Sequence, residues 1–213
     1  MDSFKNETIE NYTKLLSTAS PVPGGGGTAA LAASLGAALG RMVASLTIGK
    51  KKYAEYEAEL KSCAEKSDAL IEQFLSLIDR DAEVFEPLSR AYSMPKETEE
   101  ERAKKAEVME KCLRDAASAP FEILSLCRES VGCVRIFAEK GSVLAISDAG
   151  CASALIGAAA RSAALNVSIN TKLMQDRVYA ENLNAQTETL LHETVQEADD
   201  IYQSVSERLK VKK

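Results

Sequence analysis

The sequence predicts an all-α protein, an up-and-down helical bundle of about seven helices built around two Ala/Gly-rich core helices. Three observations carry that prediction. Apolar residues recur at steps of three and four over most of the chain, no stretch alternates as a half-buried strand does, and two long segments consist almost entirely of small apolar residues. The 213 residues are 46% hydrophobic and 27% charged, a globular composition that can bury a sizeable core, read as a single domain over 1–213. With no Trp and few aromatics, that core is built from Ala, Leu, Val and Ile. The formal charge of −6 argues against a nucleic-acid partner. Five cysteines, an odd number without a CxxC pair, point to a reduced, cytoplasmic protein rather than a disulfide scaffold. The polar start MDSFKNETIENY is unlike a secretory signal.

In chain order, Asp2 or Ser3 is placed to cap a first helix with Phe4, Ile9, Tyr12, Leu15 and Leu16 as its apolar positions. A loop follows, Ser17 to Gly27, containing two prolines and Gly24, Gly25, Gly26 and Gly27. The next helix is expected from about Thr28, with Gly27 or Thr28 as N-cap, to Ile48, stopped by Gly49 and three lysines. At 100° per residue, Ala29, Ala33, Gly36, Gly40 and Ala44 share one face, while Leu31, Leu35, Leu39, Met42 and Leu46 share nearly the opposite one. Apolar on both sides, this helix is expected to be buried all round. A membrane span is disfavoured, because prolines and glycines break its first part and no comparable second span is seen.

A long helix from about Tyr53 to Ser89 carries a bundle seam through Leu60, Cys63, Ser67, Leu70, Phe74, Leu77, Asp81, Val84 and Leu88. Pro87 is expected to bend or end it. Thr98 opens the next helix, with three glutamates in its first turn and Ala106, Met109, Leu113 and Ala116 inward. Pro120 suits a first turn or a kink, and the helix after it buries Ile123, Cys127, Val131, Val134 and Ala138, stopping at Gly141. The second small-residue helix, within SVLAISDAGCASALIGAAARSAALNVSIN, is capped by Ser147 or Asp148 and packs most simply on the first. A last helix follows Asp176 and runs to the C-terminus, with Val178, Leu183, Leu190, Leu191, Val195, Ala198, Ile201, Val205 and Leu209 inward.

Several residues carry candidate chemistry. The four glycines leave bare amides beside a helix N-terminus, suited to a ligand or simply to a tight turn. Neither a phosphate-binding loop nor a dinucleotide fingerprint fits the residues that follow them. Asp81 puts a carboxylate on an apolar seam, where it costs several kcal/mol unless paired or hydrogen-bonded. It faces a site between helices, or serves a structural salt bridge or cap. Asp79 points elsewhere. Ser162, Asn166 and Asn170 form a polar line at steps of four, for reading a heterocycle or for cross-helix hydrogen bonds. With one histidine, His192, and no cysteine cluster, neither a metal site nor a Ser-His-Asp triad assembles.

These residues also carry a resemblance that covers essentially the whole chain. PVPGGGGTAALAASLGAALGRMVASLTIGKKKY, LIDRDAEVFEPLSRAYSMPKETEEE and AEKGSVLAISDAGCASALIGAAARSAALNVSIN are similar to signatures of the cyclodeaminase/cyclohydrolase family of folate enzymes. Two departures stand out: Ser142, Val143, Leu144 and Ala145 replace a loop in which the family often has Asn, and Cys151 replaces a more usual aliphatic residue. The resemblance implies an all-α homodimer binding a folate between helices, without metal or other cofactor. The expected reaction is cyclisation of 5-formiminotetrahydrofolate to 5,10-methenyltetrahydrofolate with loss of ammonia. The alternative is hydrolysis of methenyltetrahydrofolate to 10-formyltetrahydrofolate. Asp81 would shuttle the proton, Asp148 would hold the pterin or cap its helix, and Asn166 and Asn170 with the glycines would bind substrate. Lys50 and Lys51, with Lys52, would attract the tail carboxylates or form a solvated cap. The rival class is a non-enzymatic helical dimerisation module.

Overall fold

The computed structural model describes residues 3–210, so the proposed cap Asp2 lies outside the described residues. Six α-helices account for the fold: α1 (Ile9–Leu16), α2 (Gly25–Ser45), α3 (Glu57–Tyr92), α4 (Glu99–Lys140), α5 (Ile146–Thr171) and α6 (Arg177–Leu209). Short 3₁₀ turns at Phe4–Asn6, Lys51–Tyr56 and Val143–Ala145 join them, and no strand occurs among the described residues. The small-residue helices α2 and α5 lie side by side and antiparallel. Gly25 sits beside Asn166, Gly36 beside Ala152 and Ile156, and Thr47 Oγ1 accepts the Ser142 N–H at 2.8 Å. Helix α3 flanks α2, α6 flanks α5, and α4 packs behind all of them.

The count is six rather than about seven because Pro120 does not divide α4. A proline inside a helix orphans the carbonyl four residues earlier. Here that carbonyl, on Ala116, accepts the Asn170 side-chain N–H at 3.2 Å, so the 42-residue helix continues unbroken. Pro87 likewise sits inside α3, which runs on to Tyr92. Thr98 forms a full capping box with Glu101, and Asp176 accepts the Tyr179 amide at the start of α6. The first helix is shorter than expected and capped by Thr8, with only Tyr12 buried and Ile9 in solvent. Helix α5 begins at Ile146 behind a 3₁₀ turn, so Ser147 and Asp148 lie in its first turn and neither caps it. Val178 and Leu209, expected in the core, are exposed.

The central helix corrects the sequence reading twice. Gly25, Gly26 and Gly27 are its first turn rather than a loop before it, and Gly24 is the N-cap. The helix is also buried on one side only: Ala29, Ala33, Gly36, Gly40 and Ala44 are inward, whereas Leu35, Met42 and Leu46 are exposed, Leu35 by 53%. Beyond the first turn of α2, the inward glycines of α2 and α5 serve different neighbours. Gly36 meets α5, Gly40 meets Val134 and Phe137 of α4, and Gly150 and Gly157 admit Val205 and Ala198 of α6. Two segments, Gly25–Ser45 and Val143–Thr171, are long and apolar enough to cross a membrane, one more than expected. More than half of each is covered by the bundle.

A Cβ on Gly36 would stand 2.9 Å from Ile156 Cδ1 and 3.1 Å from the Ala152 carbonyl. Gly36→Leu should therefore overpack the α2–α5 contact and lower stability by about 1–3 kcal/mol or more. An unchanged melting temperature would show that the two helices do not meet there.

Candidate active site

At the N-terminal end of α2 the chain turns through Pro21 and Val22, with a cis Val22–Pro23 peptide, into the four glycines. Side chains from α3, α4 and α5 converge on this turn. Asp81 and Phe85 of α3, Ala116 and Pro120 of α4, and Asn166, Ile169 and Asn170 of α5 line a cleft of about 180 Å³ with Gly24 and Gly25. Glycine is required here for space. A Cβ on Gly26 would run into the Asp81 carboxylate, and one on Gly25 would lie 2.9 Å from Asn166 Nδ2. The missing side chains let α3 and α5 close on the backbone of α2 from both sides.

The Asp81 carboxylate is held by the Gly27 N–H, which donates to Oδ2 at 2.8 Å. That amide belongs to the first helical turn, whose N–H groups have no partner within the helix. Burial drives the carboxyl pKa upward from its ordinary 3.8, the Gly27 hydrogen bond opposes it, and the result is about 6. Asp81 is the one seam carboxylate, and its bond runs to a helix terminus rather than to a cation. A group titrating near neutrality can both accept and deliver a proton at working pH.

The two asparagines are at the cleft, with both amide N–H groups of Asn170 and one of Asn166 already engaged. Asn166 Nδ2 donates to the Ser162 carbonyl at 2.8 Å, and Asn170 Nδ2 donates to the Asn166 carbonyl at 2.8 Å and to Ala116. Further contacts are open to the Oδ1 of both and to the second N–H of Asn166. Tyr12 is a site neighbour that its helix pattern did not reveal. Its buried hydroxyl lies under Gly27, without a hydrogen-bond partner among the described residues. Burial raises its pKa, the Thr28 hydroxyl lowers it, and the Asp81 and Asp79 charges raise it further. Asp79 itself accepts from Ser3 Oγ at 2.6 Å and from the Lys5 amide, pinning the N-terminal segment to α3.

Other expected residues lie elsewhere in the chain. Lys50 and Lys51 follow the far end of α2, about 30 Å from Gly25 at 1.5 Å per residue, and Asp148 is in the first turn of α5, about 27 Å from Asn166. A single chain does not bring them to the Asp81 cleft. A wider groove of about 520 Å³, lined by Arg80, Phe121, Glu122, Tyr179 and Leu183 among others, does not include Asp81. Its one buried-side ion pair, Arg80 with Glu122, is half exposed, so the smaller cleft is where the chemistry concentrates. Among the described residues no group of three His, Cys, Asp or Glu side chains is arranged to hold a metal ion.

The raised pKa has a consequence for stability. Between pH 3.8 and about 6 the folded protein binds more protons at Asp81 than the unfolded chain, so stability falls as pH rises through that window and levels off above it. Asp81→Asn removes this dependence. Relative to the unmutated protein, the variant's melting temperature should rise between pH 4 and pH 7. A parallel pH profile for the two proteins would show that Asp81 is not buried as a carboxylate.

Known proteins resemble this chain over most of its length. Residues 8–189 match the family model described as formiminotransferase-cyclodeaminase. A methenyltetrahydrofolate cyclohydrolase of Methylorubrum extorquens is 43% identical over 204 residues, covering 96% of this chain and 98% of that protein. A formimidoyltransferase-cyclodeaminase of Mus musculus is 29% identical over 97% of this chain, which spans only 38% of that longer protein. The fold is shared with the crystal structure of formiminotetrahydrofolate cyclodeaminase from Thermotoga maritima, with a TM-score of 0.81 at 23% identity over 95% of this chain and 98% of that one. The match over most of its length, together with a full-length relative at 43% identity, makes this chain a member of the formiminotransferase-cyclodeaminase family.

Proposed function

We propose that this protein is a tetrahydrofolate one-carbon enzyme that makes or breaks a carbon–nitrogen bond at an amidine-like carbon, with Asp81 carrying the proton. The observation that supports this best is a largely buried carboxylate with a pKa of about 6, anchored on a helix-terminal amide at the wall of a glycine-floored cleft. Hydrolysis of 5,10-methenyltetrahydrofolate to 10-formyltetrahydrofolate is the first reading, because the relative that matches end to end bears the cyclohydrolase name. Cyclisation of 5-formiminotetrahydrofolate with loss of ammonia is the second, favoured by the names of the family and of the mouse relative.

In the hydrolytic direction, water forms a bond to the bridging carbon while Asp81 takes one of its protons. The bond from that carbon to the ring nitrogen then breaks, and Asp81 delivers the proton to that nitrogen. The second water proton leaves to solvent as the formyl carbonyl forms. In the cyclisation, the same carboxylate carries the proton from the attacking nitrogen toward the departing ammonia. Either reaction balances by proton transfer alone, so the proposal invokes no metal and no cofactor beyond the folate. The unpaired Gly25 and Gly26 amides, at the positive end of α2, suit an electron-rich edge of the pterin, and the Asn166 and Asn170 carbonyl oxygens suit its N–H groups. A homodimer in a reduced cytoplasmic setting goes with this reading.

Asp81→Asn keeps the shape of the side chain and cannot exchange a proton at useful pH. Turnover of methenyl- or formimino-tetrahydrofolate, followed by the methenyl absorbance, should fall by about 10²–10⁴ while folate still binds. Near-normal turnover in the folded variant would remove Asp81 from the mechanism. The two substrates compared in the unmutated protein decide between the two reactions.

A further inference from the structure

Among the described residues, the Tyr12 hydroxyl is the one buried side-chain polar atom without a hydrogen-bond partner. Tyr12 is also the one buried residue of α1, only 5% exposed. Leaving a hydroxyl unpaired in a core is destabilising, and phenylalanine would fill the same space without that cost. The nearby Thr28 hydroxyl has its own proton on the Gly24 carbonyl, at 2.8 Å. Packing alone therefore gives no reason for tyrosine at this position.

The bare side-chain position of Gly27 brings this hydroxyl to the site. The point a Gly27 Cβ would occupy is 3.4 Å from the Tyr12 hydroxyl oxygen and 3.8 Å from Asp81 Oδ2, with the Ile78 carbonyl at 3.3 Å. Asp81 is the complementary half of the pair. An ionised carboxylate has about four acceptor positions, and among the described residues one donor, the Gly27 amide, is bonded to it. A free donor and an undersupplied acceptor thus flank the same glycine. Other charges are scarce there. Toward Asp81, α2 presents Gly27, α4 presents Ala116 and Pro120, and α5 presents Asn166 and Asn170, none of which titrates. Asp79 of α3 is the second carboxylate whose charge reaches Tyr12, and it is bonded to Ser3 Oγ and the Lys5 amide.

We propose that Tyr12 is a positioning residue for the reaction: its hydroxyl donates to the Asp81 carboxylate, directly or across one bridging water, and holds Asp81 ionised and ready to take the first proton. A bond to the ionised form lowers the carboxyl pKa, so Tyr12 acts with the Gly27 amide against the burial that raises it. Two donors on one carboxylate also fix its rotamer and leave its remaining lone pairs to the cleft. The phenol keeps its own proton throughout, because burial and the carboxylate charges raise its pKa above the ordinary 10. It tunes and orients Asp81 and transfers nothing itself. The assignment rests on the folate reading for what Asp81 does, and on the two groups facing one bare glycine for the contact.

The test is Tyr12→Phe, which keeps the ring and removes the hydroxyl alone. The acid limb of its pH profile for kcat/KM should move up by about one pH unit. Activity on that limb then falls by up to about tenfold, while the value at about pH 8 stays within about twofold. A second measurement needs no substrate. Raising the folded-state pKa further above the unfolded one extends upward the pH window in which stability falls. Relative to the unmutated protein, the melting temperature of Tyr12→Phe should therefore drop between about pH 5 and about pH 8. In an Asp81→Asn background that relative drop should vanish. A variant that melts higher by the same amount at every pH, with an unmoved profile, would make the hydroxyl a mere unsatisfied core group and overturn the proposal. A relative drop that persists with Asp81→Asn belongs to Asp79 and overturns it too. An unmutated protein that turns over neither folate sinks the functional reading alone, and the melting temperatures still decide whether Tyr12 and Asp81 are bonded.

Discussion

The bond from the Gly27 amide to the Asp81 carboxylate exists only because no side chain stands between helix α2 and helix α3 at that level. Any Cβ at Gly26 would occupy the space of the carboxylate, and one at Gly25 would press on Asn166. The same absence of side chains fixes the spacing of α2, α3 and α5 at that end of the bundle, so site and architecture share one constraint. Burial in this crowded place raises the Asp81 pKa, and the helix terminus keeps the ionised form accessible. The chemistry is thus a property of helix packing at a glycine turn.

Much of this was legible in the sequence. The step-of-three-and-four seam of α3 located Leu60, Leu70, Phe74, Leu77 and Leu88, all buried, and it marked Asp81 as a charged group where charge is unwelcome. The small-residue patterns located α2 and α5, and Gly36 is where they touch. Other features were hidden because they depend on tertiary partners. Four glycines read as a loop by intrinsic preference, and packing against Asp81 and Asn166 overrides that preference to give a helical turn. Leucines along α2 read as core, since periodicity separates apolar faces without saying which neighbour covers them.

Pro120 and Asn170 illustrate the same limit. A proline at that spacing predicts a helix break, and the break is averted by a side chain 50 residues away that takes the orphaned Ala116 carbonyl. Asn170 was singled out in the polar line of α5, and one of its duties is this repair. Tyr12 likewise looks like one apolar position among several in a short helix, yet its hydroxyl ends beneath the glycine turn beside Asp81. Neither role leaves a signal in local spacing.

The composition of the first turn of α2 also bears on motion. Glycine gives a helix its least intrinsic support apart from proline, so Gly25–Gly27 is held in helical form by neighbours rather than by its own backbone preference. Such a turn is a low-energy place for local unfolding, well below the global unfolding of a core lined with Phe74, Phe137 and Ile156. When it opens, the Gly27 amide leaves Asp81 and the cleft loses its floor. A ligand seated on those amides binds the closed turn alone, so it stabilises that turn by mass action. Occupancy of the site and order in the first turn of α2 are, in that sense, one equilibrium.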